Sequence, residues 1–249
     1  MKTITTLMLT AVALLTGLHS ACHAEDIQAL LKEADTYRIG TESMQVETRV
    51  TTLQKDGSKD KERDYLVLAQ GNRQSLVLMQ SPAEKGQKVL MLADDFWLLL
   101  PGSQRAMRIT PMQKLLGDAS IGDIATMNWA GDYDGELKGE ESCDGKPCLH
   151  LTLHALRKAV AYQRIELWLG KKHHEPIRAE LYVQSDKLAK QASFIMGQSG
   201  SKTEVSEMLL SDQLSNNKET RVRYLSRKPK SVPAQWLNPM FLAKNPDLG

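Results

Sequence analysis

Gly86 to Ile124 read GQKVLMLADDFWLLLPGSQRAMRITPMQKLLGDASIGDI, and this stretch decides the fold. Two apolar runs with strand character, Lys88–Ala93 and Phe96–Leu100, flank Asp94-Asp95. Pro101-Gly102 marks a turn, and a basic strand follows from Arg105 to Ile109. Pro111 then opens Met112-Gln113-Lys114-Leu115-Leu116, a short amphipathic helix closed by Gly117. Proline in the first helical turn and glycine past the last are the expected punctuation. A strand meander therefore hands the chain to a greasy flap, which is how a sheet acquires a lid over its concave face.

The same alternation recurs outward from this stretch. Met44, Val46, Thr48 and Val50 share one face, opposed by Gln45, Glu47 and Arg49; Ile177, Ala179, Leu181 and Val183 repeat the pattern. A period of two is the mark of a half-buried strand. Further strand segments are 61–70, 73–80, 86–93, 95–100, 104–110, 132–140, 147–155, 160–169, 190–197, 204–211 and 219–226. Turn signals separate them at Asp56-Gly57, Gly71-Asn72, Pro101-Gly102, Gly170-Lys171, Gly197–Gly200 and Asn216-Asn217. Short links imply antiparallel neighbours. Helix is sparse: Glu25–Tyr37 carries Ile27, Leu30, Leu31 and Ala34 on one face. Residues 111–117 and 120–127 read as two short helices, and Pro233–Lys244 as a last one broken at Pro239. One helix on about a dozen antiparallel strands makes a mainly β, strongly curved sheet, and large curved sheets tend to enclose ligand space.

The chain has 249 residues and a formal charge of +2. Residues 1–24 read as a signal peptide, with Lys2, an apolar Leu7–Leu18 core and small residues at Cys22 and Ala24 before Glu25. The apolar run is shorter than the roughly 18 residues a membrane span needs. Residues 25–249 then form a single domain in the periplasm; lipidation at Cys22 is the alternative use of the same segment. A near-neutral chain gives no global argument for nucleic acid. The local basic run at Arg221, Arg223, Arg227, Lys228 and Lys230 reads as a solvated strand and turn before it reads as a binding patch. Cys143 and Cys148 bracket Asp144-Gly145-Lys146-Pro147, a natural hairpin turn. A structural disulfide suits that spacing and an oxidising compartment better than a redox pair or half of a zinc site.

No catalytic constellation is present, so the chain reads as a non-enzyme with no cofactor. Gly197-Gln198-Ser199-Gly200-Ser201 fails the nucleophile-elbow pattern at its last position. Asp94-Asp95 and Asp132/Asp134 suit turns more than acid–base pairs. His150 and His154 share one strand face with Cys148 and Thr152, and His173-His174 lies in a Lys-rich turn. A zinc site needs three or four convergent ligands; an outward polar face accounts for these residues, and no metal is expected.

Lys85-Gly86, Phe96-Trp97, Leu100-Pro101, Arg105, Arg108-Ile109, Gly117, Ser120 and Asp123-Ile124 together resemble the LolA-like outer-membrane lipoprotein-sorting family. The likeness continues in Asp144–Cys148, Ile165–Leu169 and Glu175–Glu180, and is nearest the branch found beside RND-type (MMPL-like) exporters. The resemblance implies a half-open antiparallel β-barrel of about eleven strands with an N-terminal helix and a short helical lid. It implies a periplasmic carrier that holds the acyl chains of lipids or lipoproteins for transfer toward the outer membrane, with an RND/MMPL-type inner-membrane transporter as partner and transient membrane contact. The expected cavity lining is Val46 and Val50, Leu66 and Leu68, Leu76 and Leu78, Leu90 and Leu92, Trp97 and Leu99, Met107 and Ile109, Ile165 and Leu167, and Leu181. The expected lid is Met112, Leu115, Leu116, Ile121, Ile124 and Met127. Ala119, Ile121 and Gly122 stand where the family places two aromatics and an acid, which loosens the flap or widens the opening. Arg105 and Arg108 match basic positions that contact lid carbonyls or a head group; a salt bridge to Asp118 or Asp123 is the plainer alternative.

A methylene of an acyl chain gains about 0.8 kcal/mol on burial, so a greasy hollow binds lipid without a precise polar site. Met79, Met91, Met107, Met112 and Met127 suit an irregular chain, as they would suit a plain core. The competing reading is an envelope accessory of an export complex, with a filled core and a partner docked on the basic C-terminal strand. Leu116→Glu in the lid should weaken binding of a fluorescent fatty acid about tenfold with unchanged circular dichroism; unchanged affinity would remove the lid from the binding surface.

Overall fold

Alternating side chains can satisfy both solvent and core only if each strand presents one face to each. The computed structural model describes residues 26–38, 43–71, 73–109, 123, 128–214 and 219–244. Every alternating segment of the sequence contains a strand, in chain order β1 (Met44–Leu53), β2 (Lys59–Gln70), β3 (Gln74–Met79), β4 (Lys88–Leu92), β5 (Asp95–Leu99), β6 (Met107–Ile109) and β7 (Tyr133–Cys143). They continue as β8 (Lys146–Ala155), β9 (Arg164–Gly170), β10 (Pro176–Tyr182), β11 (Leu188–Ser199), β12 (Lys202–Asp212) and β13 (Glu219–Pro229). These make one sheet in the order β6-β5-β4-β3-β2-β1-β13-β12-β11-β10-β9-β8-β7, antiparallel throughout. The half-open antiparallel architecture is as expected, with thirteen strands instead of about eleven. β6 and β7 are the two edges and do not pair, so the sheet does not close.

The sheet is nevertheless rolled. Asp94 follows β4 and Arg157 follows β8, nine strand positions apart in that order, yet they form an ion pair. At roughly 4.8 Å per strand a flat sheet would hold them about 40 Å apart. Arg73 Nη2 reaches the same Asp94 at 2.8 Å, and Arg157 also holds Asp132 at 2.5 Å. This ion cluster ties the β2–β3 and β4–β5 turns to the loops around β7 and β8.

Inside the roll lies α1 (Ile27–Thr36), which packs Leu30, Leu31 and Ala34 into the main core. Asp26 caps it, its carboxylate accepting from the Gln28 and Ala29 amides at 3.0 and 3.3 Å. The helix is docked at both ends: Gln28 Nε2 donates to the Tyr133 carbonyl at 2.7 Å, and the Tyr37 hydroxyl donates to the His173 carbonyl at 2.7 Å. Val50, Val67, Val77, Val89, Leu151, Leu167, Leu181 and Leu210 come from eight strands into the one cluster around it.

A second core lies on the opposite face of β2–β5. Leu66, Leu68, Leu76, Leu78, Leu90 and Leu99 are covered there by Val232, Leu237 and Leu242. The C-terminal stretch expected as a broken helix is two 3-10 turns, Ala234–Leu237 and Leu242–Lys244, on either side of Pro239. Lys88 is buried beneath it and donates to the Leu242 carbonyl at 3.5 Å. The expected helices over 111–117 and 120–127 lie outside the described residues, apart from the helical Asp123.

The β7–β8 hairpin turns on Asp144 (φ 49°) and Gly145 (φ 80°), with Cys143 opposite Lys146. Two positive-φ residues match the right-handed twist of the strands. Cys143 and Cys148 are disulfide-bonded as expected, with Cα atoms 5.8 Å apart. Near the other end of this hairpin, a Cβ added at Gly135 would stand 2.0 Å from the Thr152 carbonyl oxygen. Backbone cannot yield as a flexible side chain would. Gly135→Ala should therefore lower unfolding free energy by about 2 kcal/mol or more, read from the urea midpoint at constant m-value.

Candidate ligand-binding face

Strands β2–β5 are apolar on both faces, and the expected cavity lining divides between them. Val50, Ile165, Leu167 and Leu181 are buried in the core around α1, with Val46 and Ile109 partly buried against it. Leu66, Leu68, Leu76, Leu78, Leu90 and Leu99 lie on the outer face beneath the C-terminal turns, with Leu92 and Trp97 beside them. Among the described residues the two groups belong to separate clusters. On β2–β5 the inward positions are one residue along from those expected, because neighbours on a pleated strand point oppositely. The inward residues are Tyr65, Val67, Val77, Met79, Val89, Met91, Phe96 and Leu98. Met107 is in neither cluster and is 51% exposed on the short edge strand. The expected lid residues Met112, Leu115, Leu116, Ile121, Ile124 and Met127 lie outside the described residues.

Set into the concave face is a group of polar residues that periodicity did not single out. Asp35, on the last turn of α1, is buried and accepts from the Trp129 amide (3.1 and 3.0 Å) and the Ala130 amide (2.8 Å). It thus holds the chain before β7 against the helix. Arg38 sits one turn on, with Nη1 3.6 Å from the Asp35 carboxylate. Its guanidinium carbon lies 3.8 Å from the centre of the Trp129 ring, a cation–π arrangement. Trp129 meets Phe194 edge-on at 5.7 Å. Loss of solvent pushes the Asp35 carboxyl up to about 6 against the opposing pull of Arg38 and the two amides. The same burial lowers the Arg38 guanidinium and raises the Tyr224 hydroxyl from their ordinary values.

Asp123 is the described residue of the segment read as a lid, and its side chain is fully buried. Tyr162 donates to Oδ1 at 2.7 Å, and Lys190, itself buried, pairs with Oδ2. Arg108 pairs instead with Asp95, so the salt bridge to Asp123 considered from sequence is replaced by Lys190. Arg105 is exposed beyond β5, its backbone bonded to Ser103.

Outside the roll, His150 bonds Glu141 at 2.7 Å and Glu166 at 3.0 Å and stacks on Trp168, with ring centres 4.3 Å apart. Arg178 covers Trp168 at 3.9 Å. Among the described residues no cluster of histidine, cysteine and carboxylate has the arrangement of a metal site. On β13, Arg221 and Arg223 face Glu207 at 3.5 and 2.9 Å, and Arg227 holds Glu204 at 2.7 Å.

This rolled, half-open sheet around an N-terminal helix is matched by known structures. A LolA superfamily protein from Nitrosomonas europaea superposes with a TM-score of 0.77 at 29% identity, over 85% of this chain and 96% of that one. Residues 71–244 match a family model described only as an uncharacterized protein. The chain belongs to the LolA-like family. A putative outer membrane lipoprotein-sorting protein domain from Vibrio parahaemolyticus has the same fold as this LolA-like chain (TM-score 0.71, 18% identity, 87% and 97% covered). So has a DUF1329 family protein from Desulfovibrio piger (0.70, 21%, 85% and 95%). No curated protein sequence matches this LolA-like protein significantly.

The raised Asp35 carboxyl sets a pH dependence. Between its usual value of 3.8 and about 6 the folded state holds a proton that the unfolded state has lost. Asp35 thus lowers stability as pH rises through that window, by up to about 3 kcal/mol. Relative to the natural protein, Asp35→Asn should gain stability progressively from pH 4 to pH 7, read from urea unfolding at each pH.

Proposed function

We propose that this protein is a periplasmic carrier that takes the acyl chain of a lipid or lipoprotein into its rolled sheet for transfer toward the outer membrane. The observation that carries the reading is the apolar concave face. All thirteen strands contribute side chains buried or half-buried in one cluster, and α1 has only ten residues. A ten-residue helix is about 15 Å long and 10 Å wide, small beside the inner surface of such a sheet. An interior apolar on every strand suits a ligand that is itself a flexible hydrocarbon, with the 111–127 segment as lid.

Two further observations support it. The ion cluster of Arg73, Asp94, Asp132 and Arg157 holds one end of the roll together without continuous strand pairing, so the opening between β6 and β7 is free to widen. One structure of the same fold, described as a putative outer membrane lipoprotein-sorting protein domain, is matched over 97% of its length. Hand-over to or from an RND/MMPL-type inner-membrane transporter, with brief membrane contact, completes the proposal; the leader read in residues 1–24 supplies the compartment.

Native mass spectrometry of the protein isolated from the periplasm, followed by solvent extraction, tests this directly. A co-purifying lipid or acylated peptide is the expected result. A clean apo mass that also ignores added fatty-acid probes would replace the carrier with a filled-core accessory of an export complex.

A further inference from the structure

Buried polar groups in folded proteins almost always have hydrogen-bond partners, and an exception calls for an explanation. Two exceptions lie together in the concave core. Among the described residues, Arg38 Nη1 and Trp129 Nε1 are buried donors without a hydrogen-bond acceptor. The guanidinium carbon lies 3.8 Å from the Trp129 ring centre, so the two side chains that carry these donors are stacked neighbours. The Arg38 side chain is 5% exposed, and Trp129 is fully buried.

Asp35 is the natural partner of Arg38, but it is engaged elsewhere. Its oxygens accept from the Trp129 and Ala130 amides at 2.8–3.1 Å, leaving the guanidinium at 3.6 Å, beyond hydrogen-bond range. The other groups that act electrostatically on Arg38 are Tyr133, Tyr224 and Arg227. Tyr133 donates its proton to the Tyr162 carbonyl, and Arg227 is held by Glu204 and the Val205 carbonyl. The Arg38 charge is therefore incompletely answered by its surroundings, in an otherwise apolar interior that strengthens it.

We propose that Arg38 and Trp129 form a head-group site, in which their free N–H groups receive the acidic oxygens of a long-chain ligand, a carboxylate or a phosphate. The site rests on the carrier reading and narrows it: the ligand enters polar end first toward the C-terminal end of α1, and its hydrocarbon lies along the concave strands. A guanidinium and an indole N–H supply donors only, so a neutral alcohol or a ligand head rich in donors is disfavoured.

The test compares palmitate, hexadecyl phosphate and hexadecanol, equal in carbon number, on the delipidated protein by competition in native mass spectrometry. The natural protein should prefer the two anionic ligands over the alcohol by about tenfold or more, and the better of the two identifies the head group. Arg38→Gln should abolish that preference. Trp129→Phe keeps the ring beneath the guanidinium and should reduce it, which covers the case in which Arg38→Gln fails to fold. Equal binding of all three ligands, or a preference that survives both substitutions, would overturn the site and leave the carrier standing. Binding of none by the natural protein would overturn the carrier, and the site with it.

Discussion

A sheet of thirteen strands with one continuous apolar face can hide that face from water only by rolling up, and the rest of this structure follows from that requirement. α1 fills the axis of the roll, and Asp35 fastens it to the residues leading into β7. The ion cluster between the turns near β4 and β8 restrains one end. Yet the edges do not pair, because β6 has only three residues and offers little to β7. Rolling without closure leaves an apolar concave face in a sheet whose edge strands, β6 and β7, stay unpaired. The charged clasp spans strands that share no ladder, and partly exposed ion pairs are individually weak and salt-sensitive.

Much of this architecture was legible in the sequence. Period-two alternation located every strand, and turn dipeptides such as Asp144-Gly145 predicted the hairpin that carries the disulfide. What alternation could not settle was which face of β2–β5 looks inward. Tyr65-Leu66-Val67-Leu68 and Leu76-Val77-Leu78-Met79 are apolar at every position, so parity carries no information there. The deciding fact lies far away in sequence, in Val232, Leu237 and Leu242, which cover the outer face and make those strands the middle layer of three. Unbroken apolar runs are the one signal that both faces are covered, and it was present in those two strands.

The polar interior was harder to see. Asp35 and Arg38 are three apart at a helix end, a spacing that on most helices describes a solvent-exposed pair. Only the fold turns that end of α1 inward and lays Trp129 beneath the guanidinium. Trp129 stands in no alternating segment, and Lys190 looks like an ordinary surface lysine until Asp123 meets it. A charge buried in an apolar roll is costly and therefore informative, but its burial is a property of tertiary structure.

The seam of the roll joins the first strand to the last. β1 pairs along its whole length with β13, and the turns after β13 cover strands laid down near the start. Synthesis from the N-terminus delivers those partners at opposite ends of the process. The early strands thus wait with one neighbour missing and their outer face wet until residues beyond 219 emerge, and long-range pairings of this kind form slowly. Until then the leucine-rich strands lie exposed to one another and are open to misassembly. A domain assembled in this order gains its shape all at once and late, when nearly the whole chain is present.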